Sequence, residues 1–330
     1  MKAAYFTKTG GPEVITYGEL PDPKPGPHQC LIQVVAVDVN PIDTYIRAGM
    51  IPGQLAFPFV PGFDLAGKIV AVGPEVKRFQ VGQRVWCTNQ SFAGRPGTFS
   101  ELAAVDEQWL YPIPEGVVEE EIVALSLVAI TAHLGLLRDA KLKAGDVLFV
   151  NGGSGAVGSC VVQIAKTLGV RVLATAGSEN KVQVCRNLGA DEVFNYRTQD
   201  VAAAIRAAAP EGVNVWWETQ REPDFEHAVP LLARRGRMVI MAGRDAKPAF
   251  PVGSFYTRDC SLFGFAMFNA SPDELRAAAT DINRWVAEGK LRALIDRMLP
   301  LSQTAEAHRL QEESTVQKTG ILTGKIVLMP

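Results

Sequence analysis

Gly153-Ser154-Gly155-Ala156-Val157-Gly158 is a complete GxGxxG. That spacing lets a backbone turn come close to a pyrophosphate while the amino end of the following helix faces the phosphates. The context fits as well. An apolar run, Val147 to Val150, stands directly before the turn, and Val157 to Leu168 follows with apolar residues at helical three-to-four spacing. Strand, glycine turn and helix together predict dinucleotide binding. Two other chemistries compete for the same residues. A phosphate-binding P-loop needs Lys and then Ser or Thr after the last glycine, whereas Ser159-Cys160 stands there. A GxSxG nucleophile elbow is missed by one residue in Gly152-Gly153-Ser154-Gly155-Ala156. Because Asp224 and His308 follow in hydrolase order, a serine hydrolase stays as a minor alternative.

About 20 residues past the glycine turn, an NAD site places an acid on the adenosine ribose. Here the chain reads Thr175-Ala176-Gly177-Ser178-Glu179-Asn180-Lys181. Small residues leave room for a 2′-phosphate, Ser178 offers a hydroxyl and Lys181 a positive charge. Glu179 dissents, unless it points away. One or two charge-assisted hydrogen bonds, each about 1.5–3 kcal/mol, favour NADPH over NADH by roughly tenfold or more. The plainer reading of Lys181 is a solvated helix charge.

No metal chemistry is announced. Cys30, Cys87, Cys160, Cys185 and Cys260 form no CxxC, and His28, His133, His227 and His308 are equally scattered. Reduced, structural thiols are expected. With 33 basic and 35 acidic residues the net charge is -2, which offers no positive field for nucleic acid. The amino terminus lacks an apolar core of signal-peptide length, and no run is expected to approach the roughly 20 apolar residues that span a bilayer. A cytoplasmic protein is expected.

The elements that must hold these residues fall into two groups, as 330 residues exceed what one core accommodates. Thirteen of the 21 prolines precede Glu115, and the next is Pro210. The proline-rich part has short β-like segments, Leu31 to Val39, Gly67 to Val72 and Arg84 to Cys87, which predict a barrel or sandwich. Beyond it, Glu119 to Asp139 reads as helix. Strands are then expected at Val147 to Asn151, Arg171 to Thr175, Glu192 to Tyr196, Val213 to Glu218, Arg237 to Ala242 and Ser261 to Phe265. Helical stretches, including Asn180 to Leu188 and Phe225 to Ala233, alternate with them. The class is α/β, with a doubly wound parallel sheet. The last 60 or so residues add helices at Pro272 to Glu288 and Thr304 to Glu313 and a strand at Gly324 to Met329, expected to return to the first domain.

Several segments together resemble a known family: Asn40-Pro41-Ile42-Asp43-Thr44-Tyr45-Ile46-Arg47, Pro61-Gly62-Phe63-Asp64-Leu65-Ala66-Gly67, Val81-Gly82-Gln83-Arg84-Val85, the glycine turn, and Phe194-Asn195-Tyr196-Arg197. The chain is similar, nearly end to end, to the zeta-crystallin-like quinone oxidoreductases of the medium-chain dehydrogenase/reductase superfamily. The resemblance implies a GroES-like, β-rich catalytic domain from residues 1–123 and 268–330, and a Rossmann domain over residues 124–267. It also implies a homodimer joined through the edge of the Rossmann sheet. Zinc-dependent members carry Cys where Asn40 stands and a His-Glu pair at Phe63 and Asp64, so the resemblance implies an enzyme without zinc. Implied cofactor contacts are Ser154, Gly155, Ala156 and Val157 at the pyrophosphate, and Gly177, Ser178, Lys181 and Tyr196 at the 2′-phosphate. On the nicotinamide side they are Ala242, Gly243, Arg244, Met267, Phe268 and Asn269.

Asn40 is implied as a polar contact beside the reacting ring, and its alternative is a turn residue before Pro41. The chain departs from the family at Ile51, where relatives often carry Tyr, and at Glu218-Thr219-Gln220-Arg221-Glu222-Pro223, where longer polar residues replace small ones. The expected activity is hydride transfer from NADPH to a quinone or similar electron-poor conjugated carbonyl, for which positioning suffices. A medium-chain enal or enoyl-thioester reductase is the alternative. It needs a proton donor, for which Tyr45 is the candidate; otherwise Tyr45 is a packed aromatic. A reading of another class is a non-catalytic NADPH-loaded binding protein.

Overall fold

The computed structural model describes residues 1–51, 53 and 55–330 and divides into two compact units. One comprises Met1–Leu127 and Ser271–Pro330, the other Val128–Ala270.

The first unit begins with β1 (Lys2–Tyr5), β2 (Thr16–Glu19), β3 (Gln29–Val39), helix α1 (Pro41–Arg47), β4 (Leu65–Val72), β5 (Arg84–Cys87), β6 (Leu102–Asp106) and β7 (Leu110–Pro112). Helix α2 (Glu119–His133) crosses the division, and the π-helix Leu134–Asp139 prolongs it. The second unit continues with β8 (Val147–Asn151), α3 (Ala156–Thr167), β9 (Arg171–Ala176), α4 (Glu179–Asn187), β10 (Glu192–Asn195), α5 (Val201–Ala208), β11 (Val213–Glu218), α6 (Phe225–Ala228), β12 (Leu232–Ile240), α7 (Val252–Tyr256) and β13 (Ser261–Gly264). The chain closes with α8 (Pro272–Ala287), β14 (Ile295–Pro300), α9 (Thr304–Thr315) and β15 (Lys325–Met329), all in the first unit.

The first unit is the GroES-like part, with strand order β14-β15-β3-β4-β5-β7 and β6 also on β3. Eleven-residue β3 is its spine. Its alternating Cys30, Ile32, Val34 and Ala36 are buried, and the first three share one core with Leu65 and Ile69 of β4 and Ile326 and Leu328 of β15. The antiparallel register Ile326↔Val39, Val327↔Asp38 sews the end of the chain to the strand that leads into α1.

In the second unit the order β10-β9-β8-β11-β12-β13 is parallel throughout. Chain direction across the sheet reverses between β8 and β11, the switch point outside whose carboxyl ends dinucleotides bind in such sheets. Val147–Val150 and Val215–Trp217 are apolar, as expected of inner strands of a parallel sheet covered on both faces.

Two expectations are corrected. Helix does not run from Phe225 to Ala233: α6 stops at Ala228, a 3-10 turn takes Val229–Leu231, and β12 already starts at Leu232. Pro230 lacks the N–H that a longer helix needs. The expectation of no membrane-length apolar run also fails. The helix Glu119–Asp139 is long and apolar enough by length and composition, but 78% of its apolar stretch is buried inside the protein. It is a core helix. Cys30, Cys87, Cys160 and Cys185 are buried, and all five cysteines are free thiols.

Candidate functional site

Every expected dinucleotide residue lies just beyond the carboxyl end of a strand in the second unit's sheet. Gly152 has φ +93°, a left-handed turn that glycine adopts without strain, and it redirects the chain from β8. Gly155 caps α3 with no side chain in the way, and Ala156 and Val157 open the helix, so their free N–H groups face outward from its amino end. A Cβ on Gly158 would run into the carbonyl oxygen of Gly152, which holds this position to glycine. The seat suits a pyrophosphate.

One strand over, past β9, the phenol of Tyr196 lies where a Cβ of Gly177 would stand. Tyr196 is 50% exposed, and Ser178 is exposed. Ser178 Oγ accepts the N–H of Lys181, capping α4. Glu179 is drawn toward β10, where its carboxylate accepts from Asn195 Nδ2 at 2.8 Å. This second-unit edge therefore presents the hydroxyls of Ser178 and Tyr196, and the neighbouring acid Glu179 is engaged by Asn195. On the other side of the switch point, Ala242 and Gly243 are half-buried and Arg244 exposed. Met267 is buried, Phe268 half-buried and Asn269 exposed.

The first unit holds a different kind of site. Asn40 is completely buried and caps α1, with Pro41 at the first helical position. Its backbone N–H donates to Asp43 at 2.8 Å. Its side-chain Nδ2 donates to Asp64 at 2.8 Å and to Asp38 at 3.4 Å, while Oδ1 accepts from the Lys325 ammonium. Lys325 also pairs with Asp38 at 2.8 Å and is 3% exposed. Three buried carboxylates thus share one buried ammonium. Burial pushes Asp43 up to about 7, with Asp38 adding to the rise and the Asn40 N–H opposing it. Burial, then Asp38, holds Asp64 well above the ordinary carboxylate range. Tyr45 is half-buried on α1. Arg47, at the end of that helix, is buried, donates to the carbonyl of Gly10 and pairs with Glu312 of α9. Asn40 is therefore both the helix-leading turn residue and the centre of a polar network. Its amide is fully engaged within the unit.

The hydrolase alternative does not survive. Asp224 caps α6 and bonds His227 at 2.7 Å. His308 is buried in the first unit's core edge-on to Phe99.

The profile of the alcohol dehydrogenase GroES-like domain matches residues 26–115, and that of zinc-binding dehydrogenases matches residues 156–284. The quinone oxidoreductase of Rattus norvegicus is 32% identical over all of this chain and 98% of its own length. The chain belongs to the quinone oxidoreductase family. It is a nicotinamide-dependent oxidoreductase of the medium-chain dehydrogenase/reductase superfamily. Other similarities reach across that superfamily. Trans-enoyl reductase pgmF of Aspergillus terreus is 31% identical over 92% of this chain and 86% of its own. A crystal structure of an NAD-dependent alcohol dehydrogenase superposes with TM-score 0.90 at 31% identity, covering all of both chains. A mycobacterial protein complexed with NADPH gives 0.85 at 28% identity, also covering both chains fully.

One family profile is described as zinc-binding, so the residues that would hold zinc matter. Asn40 has no free donor atom, Phe63 offers only carbon, and Asp64 is bonded to Asn40 beside an ammonium. Among the described residues, no group of three His, Cys, Asp or Glu could hold a metal ion. The set does not suit zinc.

Two features of the site escaped sequence reading. Lys325 lies 285 residues from Asn40, and only the β3–β15 pairing brings them together. Glu218 is buried at the carboxyl end of β11, bonded to Asn151 of β8; the sequence marks it only as a departure from family pattern.

Proposed function

We propose that the chain is an NADPH-dependent reductase that delivers hydride to quinones or similarly electron-poor conjugated carbonyls without zinc. The observation that carries this reading is the 2′-phosphate seat of Gly177, Ser178 and Tyr196, whose neighbouring acid Glu179 is tied to Asn195. NADPH, when bound, supplies the hydride. Ser154, Gly155, Ala156 and Val157 hold its pyrophosphate, with Lys181 beside the 2′-phosphate. Ala242 to Arg244 and Met267 to Asn269 line the nicotinamide side.

The charge cluster supports chemistry without a Lewis acid, because Lys325 already supplies the positive charge at Asn40. An acceptor that needs little activation suits such a site. Asn40 acts by fixing the start of α1, and α1 carries Tyr45. The similarity to a trans-enoyl reductase favours a second reading, reduction of an enal or enoyl thioester with Tyr45 as proton donor at carbon. For assembly we infer a homodimer through β13, one of the two edge strands of the six-stranded sheet. Leu262 on it and Val252 and Tyr256 beside it in sequence are exposed. A cytoplasmic location accords with the burial of the apolar helix Glu119–Asp139.

Steady-state NADPH oxidation with a panel of quinones beside 2-enals and enoyl-CoA esters tests the function. Turnover of quinones is the expected result. Turnover of enoyl substrates alone, abolished in Tyr45→Phe, would establish the second reading. NADPH binding with no acceptor reduced would make the chain a binding protein.

A further inference from the structure

Glu218 lies at the switch point of the dinucleotide-binding sheet, 3% exposed, and donors reach both of its carboxylate oxygens. Asn151 Nδ2 donates to both of its carboxylate oxygens, at 2.9 and 3.1 Å. The backbone N–H of Gln220 donates to Oε1 at 2.7 Å, and the indole N–H of Trp216 to Oε2 at 3.1 Å. Burial pushes its pKa up, and the bonds from Asn151, Gln220 and Trp216 pull it back down.

Glu218 is connected to the glycine turn by two routes. Because Asn151 Nδ2 is committed to Glu218, its Oδ1 faces Thr175 of β9, whose hydroxyl donates to it at 2.9 Å. With its proton so committed, Thr175 Oγ1 accepts the N–H of Gly152 at 2.9 Å, and the carbonyl of Thr175 accepts the N–H of Gly153 at 3.0 Å. The other link is Gln220, whose N–H bond to Glu218 holds the segment that lies on Gly152. In that segment Thr219 Oγ1 donates to the carbonyl of Asn151, and a Cβ on Gly152 would stand 2.5 Å from that hydroxyl. Glu218, Asn151 and Thr175 thus join three adjacent strands, β11, β8 and β9, at the residue where the turn begins.

We propose that Glu218 is a positioning residue for the cofactor: acting through Asn151 and Thr175 on one side and Gln220 on the other, it fixes the backbone of Gly152 and Gly153 in the pyrophosphate-binding turn. The site requires an acceptor on both oxygens. Glutamine offers one oxygen and one NH2, so either the Trp216 indole or the Gln220 N–H would face another donor. A buried donor left without an acceptor is costly enough to move the loop. The polar residues at 218–220, where the family carries small ones, are on this view part of how the turn is held.

The inference rests on the reading of the glycine turn as the NADPH seat, and one titration separates the two. Cofactor dissociation constants would be measured by nucleotide fluorescence for the wild type, Glu218→Gln, Glu218→Asp and Thr175→Val. We expect Glu218→Gln and Thr175→Val to bind NADPH about tenfold more weakly, equivalent to about 1.4 kcal/mol. In both the KM for NADPH rises while the KM for the acceptor stays unchanged. Glu218→Asp, which keeps two acceptor oxygens, recovers at least part of the loss. If wild type binds no nicotinamide cofactor, the underlying reading fails. If wild type binds and both Glu218→Gln and Thr175→Val bind equally well, the positioning role is overturned. If acceptor KM rises as much as cofactor KM, the effect is general structural loss and the role is likewise overturned. Should Glu218→Gln not fold, Thr175→Val carries the test, since it removes the hydroxyl that holds Gly152 and leaves the carboxylate in place.

Discussion

Two asparagines organise the two units, and they do so in opposite electrostatic settings. Asn40 bridges Asp38, Asp64 and Lys325, a buried cluster in which three carboxylates, counting Asp43, share one ammonium. Asn151 bridges a single buried carboxylate, Glu218, to a neutral hydroxyl, Thr175. In the first setting the protein manages net charge in a medium that screens it poorly. In the second it manages direction, with each donor committed to one acceptor in turn. A perturbation of the first should therefore show in stability and pH dependence, and a perturbation of the second in where a ligand's phosphates are held.

The largest effect should come from removing the one cation of the Asn40 cluster. Lys325→Met leaves Asp38 buried without its partner and should destabilise the first unit by about 3–5 kcal/mol. Urea unfolding followed by far-UV dichroism measures this, and wild-type stability in the variant would mean the ammonium is not the counter-charge of Asp38.

A more gradual effect is expected from pH. Asp43 holds its proton up to about 7 in the folded protein, against 3.8 for an ordinary Asp. The folded state then binds the extra proton between those values, and stability falls as pH rises from about 4 to about 7, by at most about 1.4 kcal/mol per pH unit. His308 works the other way. Burial, aided by Arg47, lowers it from 6.5 to about 3, so its contribution falls as pH drops through that window. Asp43→Asn removes only the first slope, so the variant should gain on wild type as pH rises from about 4 to about 7. Parallel melting-temperature curves for the two proteins across that range would show Asp43 to be ionised throughout.

The smallest effect concerns the edge of the second unit. Lys181→Ala should lower the NADPH:NADH ratio of kcat/KM about tenfold, one charge-assisted bond to the 2′-phosphate. An unchanged ratio would remove Lys181 from the proposed 2′-phosphate site.

The turn at Gly153 to Gly158 is legible in the sequence because everything it needs is local: β8 before it, α3 after it, and glycines whose spacing follows from the turn itself. Ser178 is legible for a similar reason, being the cap of the next helix. The return of the chain end to the first domain can be anticipated, but not that it delivers Lys325 to Asn40, because a lysine at the start of a strand carries no mark of a partner 285 residues away. Glu179 is an ordinary acid in the sequence until Asn195 of a neighbouring strand takes hold of it. The expected helix Phe225 to Ala233 is too long because its apolar, helix-like composition runs on across Pro230, whereas Val229–Leu231 forms a 3-10 turn and the last two residues already belong to β12. Local chemistry is readable; long-range pairing that neutralises a charge is not.

The pairing of β15 with β3 has a consequence for how the molecule is made. The dinucleotide-binding unit is one continuous stretch, Val128–Ala270, and its sheet can be completed while the ribosome is still adding residues. The other unit has no such independence. Asp38 is synthesised nearly three hundred residues before the lysine that pairs with it, and until Lys325 emerges the nascent strand β3 lacks both β15 and its counter-ion. Synthesis of Lys325, rather than of the first hundred residues, is the moment from which the Asn40 cluster can close.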